Sequence, residues 1–299
     1  SPDYNMNLET FLCTILPILC GFLNYQPYYY YTQAGRELSC YELFPFFFIT
    51  EKKLLLISSD MSTFISTENP EVIHSYQQEF QKILENSSRF FQQSDSPSQI
   101  LEIFGSIMNT NITTNFALES HPCLALMSYG PDFVQALFEN RDIDHSNSVY
   151  RQLVSILKQP QFAFTENDTS SNYFTLNGIR KFAQTGLLDG PYSYHQTPLP
   201  KEERRKSIQH ILDTDMGGEK CKILKHSVLP ETGIHLEVLS DYSVFLCFLS
   251  KEDTFMCVYL KETSIGQALD DYLSSLSEEE AVYTKKEARQ ILLGLLEQL

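Results

Sequence analysis

The chain has 299 residues, 42% of them hydrophobic and 20% charged, which is the composition of a folded protein with one large core or two smaller ones. Its formal net charge of −16 argues against binding of nucleic acid by this chain alone, because phosphate contacts need clustered Lys and Arg. The seven cysteines are odd in number and show no repeating spacing, so we expect reduced thiols in a cytoplasmic protein.

The first predicted element is a helix at residues 7–24, apolar almost all round and interrupted by Pro17. It is too short to span a membrane, so no membrane association is expected. Two interpretations are open: the helix packs on its own domain, or residues 1–27 are a linker or dimerisation helix. Because the chain begins at Ser1 and not at Met, we expect that an upstream segment is missing.

Residues 28–112 form the first predicted unit, a β-meander followed by helices. The tyrosine run 28–31 predicts a strand, and three further short strands follow at 45–50, 53–58 and 62–67. Their connections are too short for parallel crossovers, so the strands are expected to be antiparallel. Asn69 is a good N-cap and Pro70 suits the first helical position. The helix that follows carries one apolar stripe, which we expect to cover one face of the sheet.

Residues 113–218 form a mainly helical middle segment. Its predicted elements are an extended stretch at 113–126, helices at 131–140 and 149–158, a loop at 159–172, a helix from 175 that ends at Gly186, and a helix that begins near Pro200. The one basic cluster of the chain, which includes Arg204, lies in this last helix among glutamates. We interpret it as a solvated helix face.

Residues 219–299 repeat the opening plan. Apolar or alternating segments at 222–229, 234–239, 244–249 and 254–260 precede a helix that begins near Thr263, and Thr284 with Glu287 forms a capping box for the last helix. A two-fold repeat is one interpretation, and the chance similarity that any α+β chain offers is the other. The last helix either docks on its own unit or forms a dimer interface.

The predicted fold class is therefore α+β. It consists of two antiparallel β-meander plus helix units, joined by a helical segment and preceded by an N-terminal linker helix.

No catalytic motif is present in the sequence: it has no phosphate-binding glycine loop, no nucleophile elbow, no H-E-x-x-H and no paired C-x-x-C. Cys221, His226 and His235 match no zinc-ligand spacing and lack a fourth ligand. Cys123 and His121 are too close along one strand to act as nucleophile and base. We therefore predict no catalytic residue, no metal ion and no cofactor.

Aromatic runs are the best candidates for a ligand pocket, because such pockets are mostly apolar with a few polar groups. If one side of the strands faces solvent, then Tyr29, Tyr31 and Phe47 line a pocket between the sheet and the middle helices. The alternative is that these rings belong to the core.

Several phrases of the sequence resemble the C-terminal, effector-side region of bacterial Xre-like helix-turn-helix transcription regulators. They are LPIL and YQPYYYY near the start, FFFITEKKLLLISSDMSTFI leading into NPEVIHSYQQEF, then HPCLAL, FTLNGIRKFAQTG and PLPKEERRKSI. The resemblance implies a cytoplasmic homodimer that senses a small-molecule effector. DNA would be bound only through an N-terminal domain, since this chain shows no helix-turn-helix. Two alternatives are a small-molecule enzyme without a recognisable motif and a protein-interaction scaffold.

Overall fold

The computed structural model describes residues 4–22, 24–30, 44–108, 112–119, 170–187, 198–214, 220–226, 234–249, 255–276 and 280–299. The chain divides into two compact units. We call Gln26–Phe90 the meander unit, and Ser1–Tyr25 together with Phe91–Leu299 the mixed-sheet unit.

The described elements, in chain order, are α1 (Tyr4–Leu19), β1 (Tyr28–Tyr29), β2 (Phe46–Ile49), β3 (Leu54–Ile57), β4 (Phe64–Thr67), α2 (Pro70–Glu85), β5 (Ser88–Arg89), β6 (Gln92–Ser94), α3 (Pro97–Met108), β7 (Thr114–Glu119), β8 (Ser171–Thr175), α4 (Leu176–Thr185), α5 (Lys201–Thr214), β9 (Cys221–Leu224), β10 (His235–Leu239), β11 (Val244–Leu249), β12 (Phe255–Leu260), α6 (Thr263–Ser274) and α7 (Lys285–Gln298).

The meander unit contains the antiparallel sheet β2–β3–β4, covered on one face by α2, and a two-stranded β1–β5 ladder. The backbone N–H of Thr50 donates to the carbonyl of Lys53 at 2.9 Å and closes the first hairpin. In the second turn the Asp60 carboxylate accepts hydrogen bonds from Ser58 and Ser62, which lowers the pKa of Asp60 to about 2.

The helix α2 begins as the sequence predicts. The Asn69 side chain accepts from the backbone N–H of Glu71 at 2.9 Å, and Pro70 occupies the first helical position. Ile73 of α2 packs on the buried Leu54 and Leu56 of β3. One apolar stripe therefore fixes the helix on one face of the three-stranded sheet.

The mixed-sheet unit is built on a seven-stranded sheet with the order β6-β12-β11-β10-β7-β8-β9. Its strands are antiparallel from β6 to β7, and β7, β8 and β9 are parallel. The helices α4 and α5 lie between β8 and β9 in the chain, which satisfies the need of parallel neighbours for a long crossover.

Helices lie on both faces of this sheet. Tyr173 and Phe174 are adjacent on β8, so their side chains point to opposite faces. The hydroxyl of Tyr173 donates to the carbonyl of Leu273 in α6 at 2.9 Å. Phe174 packs in a core with residues of α4, α5 and α7. Helix α3 packs on the same face as Phe174 but nearer β12, and its Ile100 belongs to the core there.

Close backbone approaches hold several helices in place. An ideal Cβ on Gly266 of α6 would lie 1.7 Å from the carbonyl oxygen of Tyr242, so only glycine fits there. Gly186 ends α4 with a φ of 73°, the left-handed cap that the sequence predicts. Arg204 is buried and donates to the carbonyls of Ala183 and Gln184, so this member of the basic cluster completes the end of α4 instead of facing solvent.

The predicted α+β class is confirmed, with a meander and following helix at β2–β4 with α2 and again at β10–β12 with α6. The strand β9 does not join the second meander, because it pairs with β8 at the far edge of the sheet. Ser171 and Asn172, in a predicted loop, belong to β8. The helices predicted at 131–140 and 149–158 lie outside the described residues.

The N-terminal helix α1 packs on α6, where Asn7 donates to the carbonyl of Ser264 at 3.2 Å. Phe11, Ile15 and Ile18 are buried on the same side of α1. Within the described part of the chain, none of the helices is long and apolar enough to cross a membrane.

Candidate functional site

Two of the aromatic residues predicted to line a pocket, Tyr29 and Phe47, lie in strands of the meander unit. The ring of Tyr29 in β1 packs edge-on against Phe90, with ring centroids 5.9 Å apart. The ring of Phe47 in β2 packs in the same way against Tyr76 and Phe80 of α2, at 5.6 Å and 6.3 Å. Tyr31 lies outside the described residues. Tyr29 and Phe47 belong to different sheets, and ligand binding by these residues stays a prediction.

The opposite face of the β2–β3–β4 sheet is apolar and open. Because side chains alternate along a strand, Phe46, Phe48 and Phe64 point away from α2. They are 46%, 65% and 60% exposed. Leu55 and Ile57 lie between them and are partly exposed. We call these five residues the open face.

A buried group of ionisable side chains lies at the centre of the mixed sheet. His235 of β10 is the Cα partner of Glu119 of β7, and its Nδ1 lies 2.7 Å from Oε1 of Glu119. Its Nε2 lies 2.6 Å from Oε1 of Glu237, two residues along the same strand and therefore on the same face. All three side chains are buried. We call Glu119, His235 and Glu237 the glutamate–histidine cluster.

Opposing effects act on the charges of this cluster. Burial is the largest influence on His235 and lowers its pKa, but the charge of Glu119 and hydrogen bonds to Glu119 and Glu237 outweigh it and raise the pKa to about 10. Burial raises the pKa of Glu237, whereas His235 and the hydroxyl of Thr114, which donates at 2.8 Å, lower it further than burial raises it. Near neutral pH, His235 is therefore an imidazolium and Glu237 a carboxylate.

A buried amide without a partner lies on the same face. Asn172 of β8 is 1% exposed, and among the described residues neither its Oδ1 nor its Nδ2 has a hydrogen-bond partner. Its Cα partner is Ala117, which is also the partner of Glu237. Only the small side chain of Ala117 therefore separates the amide from the carboxylate along this row. Buried amides normally have partners, so this one indicates a place for a further polar group.

The arrangement favours recognition of hydrogen-bond donors. Two glutamates face one imidazolium, and the amide of Asn172 can both donate and accept hydrogen bonds.

The sheet order does not bring Cys221 together with His235, because β7 and β8 lie between their strands. In the described ranges, no group of three or more His, Cys, Asp or Glu side chains is arranged to hold a metal ion.

Sequence reasoning missed Glu119, Glu237 and Asn172. A signal for the two glutamates exists, since each lies in an otherwise apolar strand: Glu119 ends TNFALE and Glu237 interrupts HLEVL. A charged residue at an inward position of such a strand needs a buried partner. Asn172 offers no comparable signal, because its strand SNYFT follows a polar stretch that reads as a loop.

Comparison of the chain with protein-family models, with curated proteins and with solved structures finds no match. The function must therefore be inferred from the side chains of the protein itself.

Proposed function

We propose that this chain is the ligand-sensing and dimerisation region of a one-component bacterial transcription regulator. It works in the cytoplasm as a homodimer and acts on DNA only through a separate N-terminal helix-turn-helix domain. The observation that carries the sensing role is the glutamate–histidine cluster beside the unpartnered amide of Asn172.

A purely stabilising role does not account for this cluster. Buried ion pairs are often no more stabilising than apolar residues of similar volume, because removing charges from water is costly. Here three ionisable groups are buried at the centre of the sheet, and the pKa of His235 is raised to about 10. Strongly perturbed ionisable groups are concentrated at functional sites.

The geometry disfavours the alternative of a small-molecule enzyme at this cluster. A general base needs a free lone pair and a pKa near the working pH. Both ring nitrogens of His235 face glutamate oxygens within 2.7 Å, and the raised pKa keeps both protonated at neutral pH. His235 is therefore a fixed cation that orients two carboxylates, and it does not accept protons in a reaction at neutral pH.

The ligand class follows from the same charges. Two glutamates and one imidazolium leave one net negative charge, which favours a small molecule with an ammonium group or several N–H donors. The side-chain amide of Asn172, whose Oδ1 and Nδ2 have no partner in the described part of the sheet, would accept one hydrogen bond from the ligand and donate another to it. Such a ligand regulates only if it binds two conformations of the protein with different affinities.

A thermal-shift experiment with small amines, amino acids and nucleosides tests the sensing role. A ligand at 100 times its dissociation constant adds about 2.7 kcal/mol of stability. The matched variant is Asn172→Leu, which removes the unpartnered amide; it should fold at least as stably as the wild type but show no shift. A ligand that shifts wild type and variant equally would place binding elsewhere and contradict the sensing role of this site.

The dimerisation role rests on the exposed side of α1. Met6 and Cys13 of α1 are exposed and spaced by seven residues, and the exposed Cys20 follows seven residues later, directly after the end of the helix. The positions three residues after Met6 and Cys13 are Glu9 and Leu16, both exposed. Seven-residue spacing of this kind forms the seam of a two-stranded coiled coil, which is self-complementary. We therefore assign the seam to a second copy of this chain, while the other side of α1 packs on α6.

Sedimentation equilibrium tests this assignment with two matched substitutions. Leu16 of α1 is 51% exposed and Leu293 of α7 is 42% exposed. Leu16→Asp should give a monomer, whereas Leu293→Asp should leave the dimer intact. In the wild type, copper-catalysed oxidation should join two chains through Cys13. A monomeric wild type would contradict the proposed dimer. If Leu293→Asp dissociates the dimer and Leu16→Asp does not, the interface lies on α7 and not on α1.

A further inference from the structure

Two free thiols are paired in the core of the mixed-sheet unit. Cys247 of β11 and Cys257 of β12 are Cα partners in the antiparallel ladder. Their Sγ atoms lie 2.9 Å apart, and both side chains are fully buried. We propose that Cys247 and Cys257 form a reversible dithiol–disulfide site, whose oxidant is a low-molecular-weight disulfide.

The strand geometry is compatible with this bond. Directly opposite residues of an antiparallel pair have Cβ atoms roughly 4.5–5.5 Å apart, and disulfides require roughly 3.5–4.5 Å. The two sulfur atoms must approach by about 0.9 Å to reach the bonded distance. A small movement within one ladder is therefore enough, and no rearrangement of the sheet is required.

The surroundings make the reduced pair slow to react. Burial, the hydrogen bond with Cys257, and the charges of Cys257 and Glu237 all raise the pKa of Cys247. Because the thiolate is the reactive form, Cys247 stays inert while the fold is closed. Cys257 is shielded from reagents by its burial.

An opening route exists at the edge of the sheet. Beside β12 lies β6, a strand of three residues at the end of the sheet order, and its Ser94 is the Cα partner of Cys257. Short edge strands open at a lower free-energy cost than the rest of a sheet. Ile100 and Ile103 of α3, the helix that follows β6, pack in the same core as Cys257. Detachment of β6 together with α3 would uncover Cys257 and admit a thiol reagent.

The reaction balances as two thiol–disulfide exchanges. One cysteine loses its proton and attacks a sulfur of oxidised glutathione; an S–S bond forms to the protein and one glutathione thiolate leaves. The second cysteine then loses its proton and attacks the protein sulfur of this mixed disulfide, which releases the second glutathione thiolate. The two cysteines are oxidised by two electrons, the glutathione disulfide is reduced, and the two protons end on two glutathione thiols.

Peptide mapping tests the proposal on the full chain. Cys13 and Cys20, the exposed cysteines among the described residues, are replaced in Cys13→Ser/Cys20→Ser, which prevents bonds between chains through these two side chains. The protein is equilibrated with defined mixtures of reduced and oxidised glutathione, quenched with acid, alkylated with N-ethylmaleimide and digested with trypsin. Cleavage after Lys251 separates residues 226–251 from 252–261, and each peptide holds one cysteine.

We expect a linked peptide pair whose mass is two hydrogens below the sum of the two free peptides and which dithiothreitol separates. Its fraction should follow the glutathione ratio, and its rate of formation should rise several-fold in low urea, where β6 opens more often. Cys257→Ala should abolish the link and leave glutathione on Cys247. Recovery of both wild-type peptides with maleimide on each cysteine, after equilibration in urea with oxidised glutathione, overturns the proposal. So does preferential linkage of Cys247 to another cysteine.

Discussion

His235 and Cys247 are Cα partners across β10 and β11, so the glutamate–histidine cluster and the thiol pair share one face of the sheet. The register continues from Glu119 through His235, Cys247 and Cys257 to Ser94 of the edge strand. Five neighbouring strands thus place a carboxylate, an imidazolium, two thiols and a hydroxyl in one row. Glu237, beside this row, contributes to the raised pKa of Cys247.

The raised pKa of His235 predicts a loss of stability at alkaline pH. Its pKa rises from the ordinary value of 6.5 to about 10 on folding, so its contribution is fully present below pH 6.5 and is lost as the pH rises through about 10. His235→Gln removes this titration and leaves two buried carboxylates unpaired, which should cost about 3–5 kcal/mol at neutral pH. Urea unfolding followed by circular dichroism, from pH 7 to 10.5, measures the difference between the two proteins. It should shrink toward high pH; a constant difference would contradict the assignment.

Replacement of the whole cluster should have the opposite outcome. Glu119→Leu/His235→Leu/Glu237→Leu removes all three buried charges of the glutamate–histidine cluster, and Thr114→Val removes the hydroxyl that donates to Glu237. Such replacements are often neutral or stabilising by about 1–4 kcal/mol. The fourfold variant should therefore be at least as stable as the wild type in urea, while it loses any ligand-induced thermal shift. A variant less stable than His235→Gln would show that the cluster is needed for folding.

Local signals predicted the elements whose ends depend on neighbouring residues. The caps at Asn69 and Gly186 and the capping box of Thr284 with Glu287 all form within one helical turn, and the structure contains each of them. The cluster depends instead on the pairing of β7 with β10, which are far apart in the chain. The thiol pair lies on the consecutive strands β11 and β12, but it depends on their exact register, which the strand positions alone do not determine. Nothing near Glu119 in the sequence indicates that His235 is its partner. The sequence did not predict β8 for a related reason. Its two neighbours in the sheet are parallel to it, so no hairpin turn marks the strand.

Adjacent phenylalanines of β2 provide a test of the meander unit. Phe47 packs on Tyr76 and Phe80, whereas Phe48 belongs to the open face and is 65% exposed. Phe47→Ala should destabilise the unit by about 2 kcal/mol, because a partly buried ring is lost. Phe48→Ala should change stability by less than about 0.5 kcal/mol. Hydrogen exchange of the β3 amides reports on this unit alone, and equal loss of protection in both variants would contradict the orientation of β2.

Two helical glycines should respond to the same substitution with opposite signs. In α6, a Cβ on Gly266 would meet the carbonyl oxygen of Tyr242 at 1.7 Å, and backbone cannot yield as a flexible side chain can. Gly266→Ala should therefore separate α6 from the β10–β11 turn and cost about 1–3 kcal/mol. In α7, a Cβ on Gly294 would meet nothing within 4 Å. Gly294→Ala should stabilise the protein by about 0.5–1 kcal/mol, because alanine loses less backbone entropy in a helix. Thermal and urea unfolding of the two variants side by side measures both signs, and a stabilising Gly266→Ala would rule out the close approach of α6 to the turn.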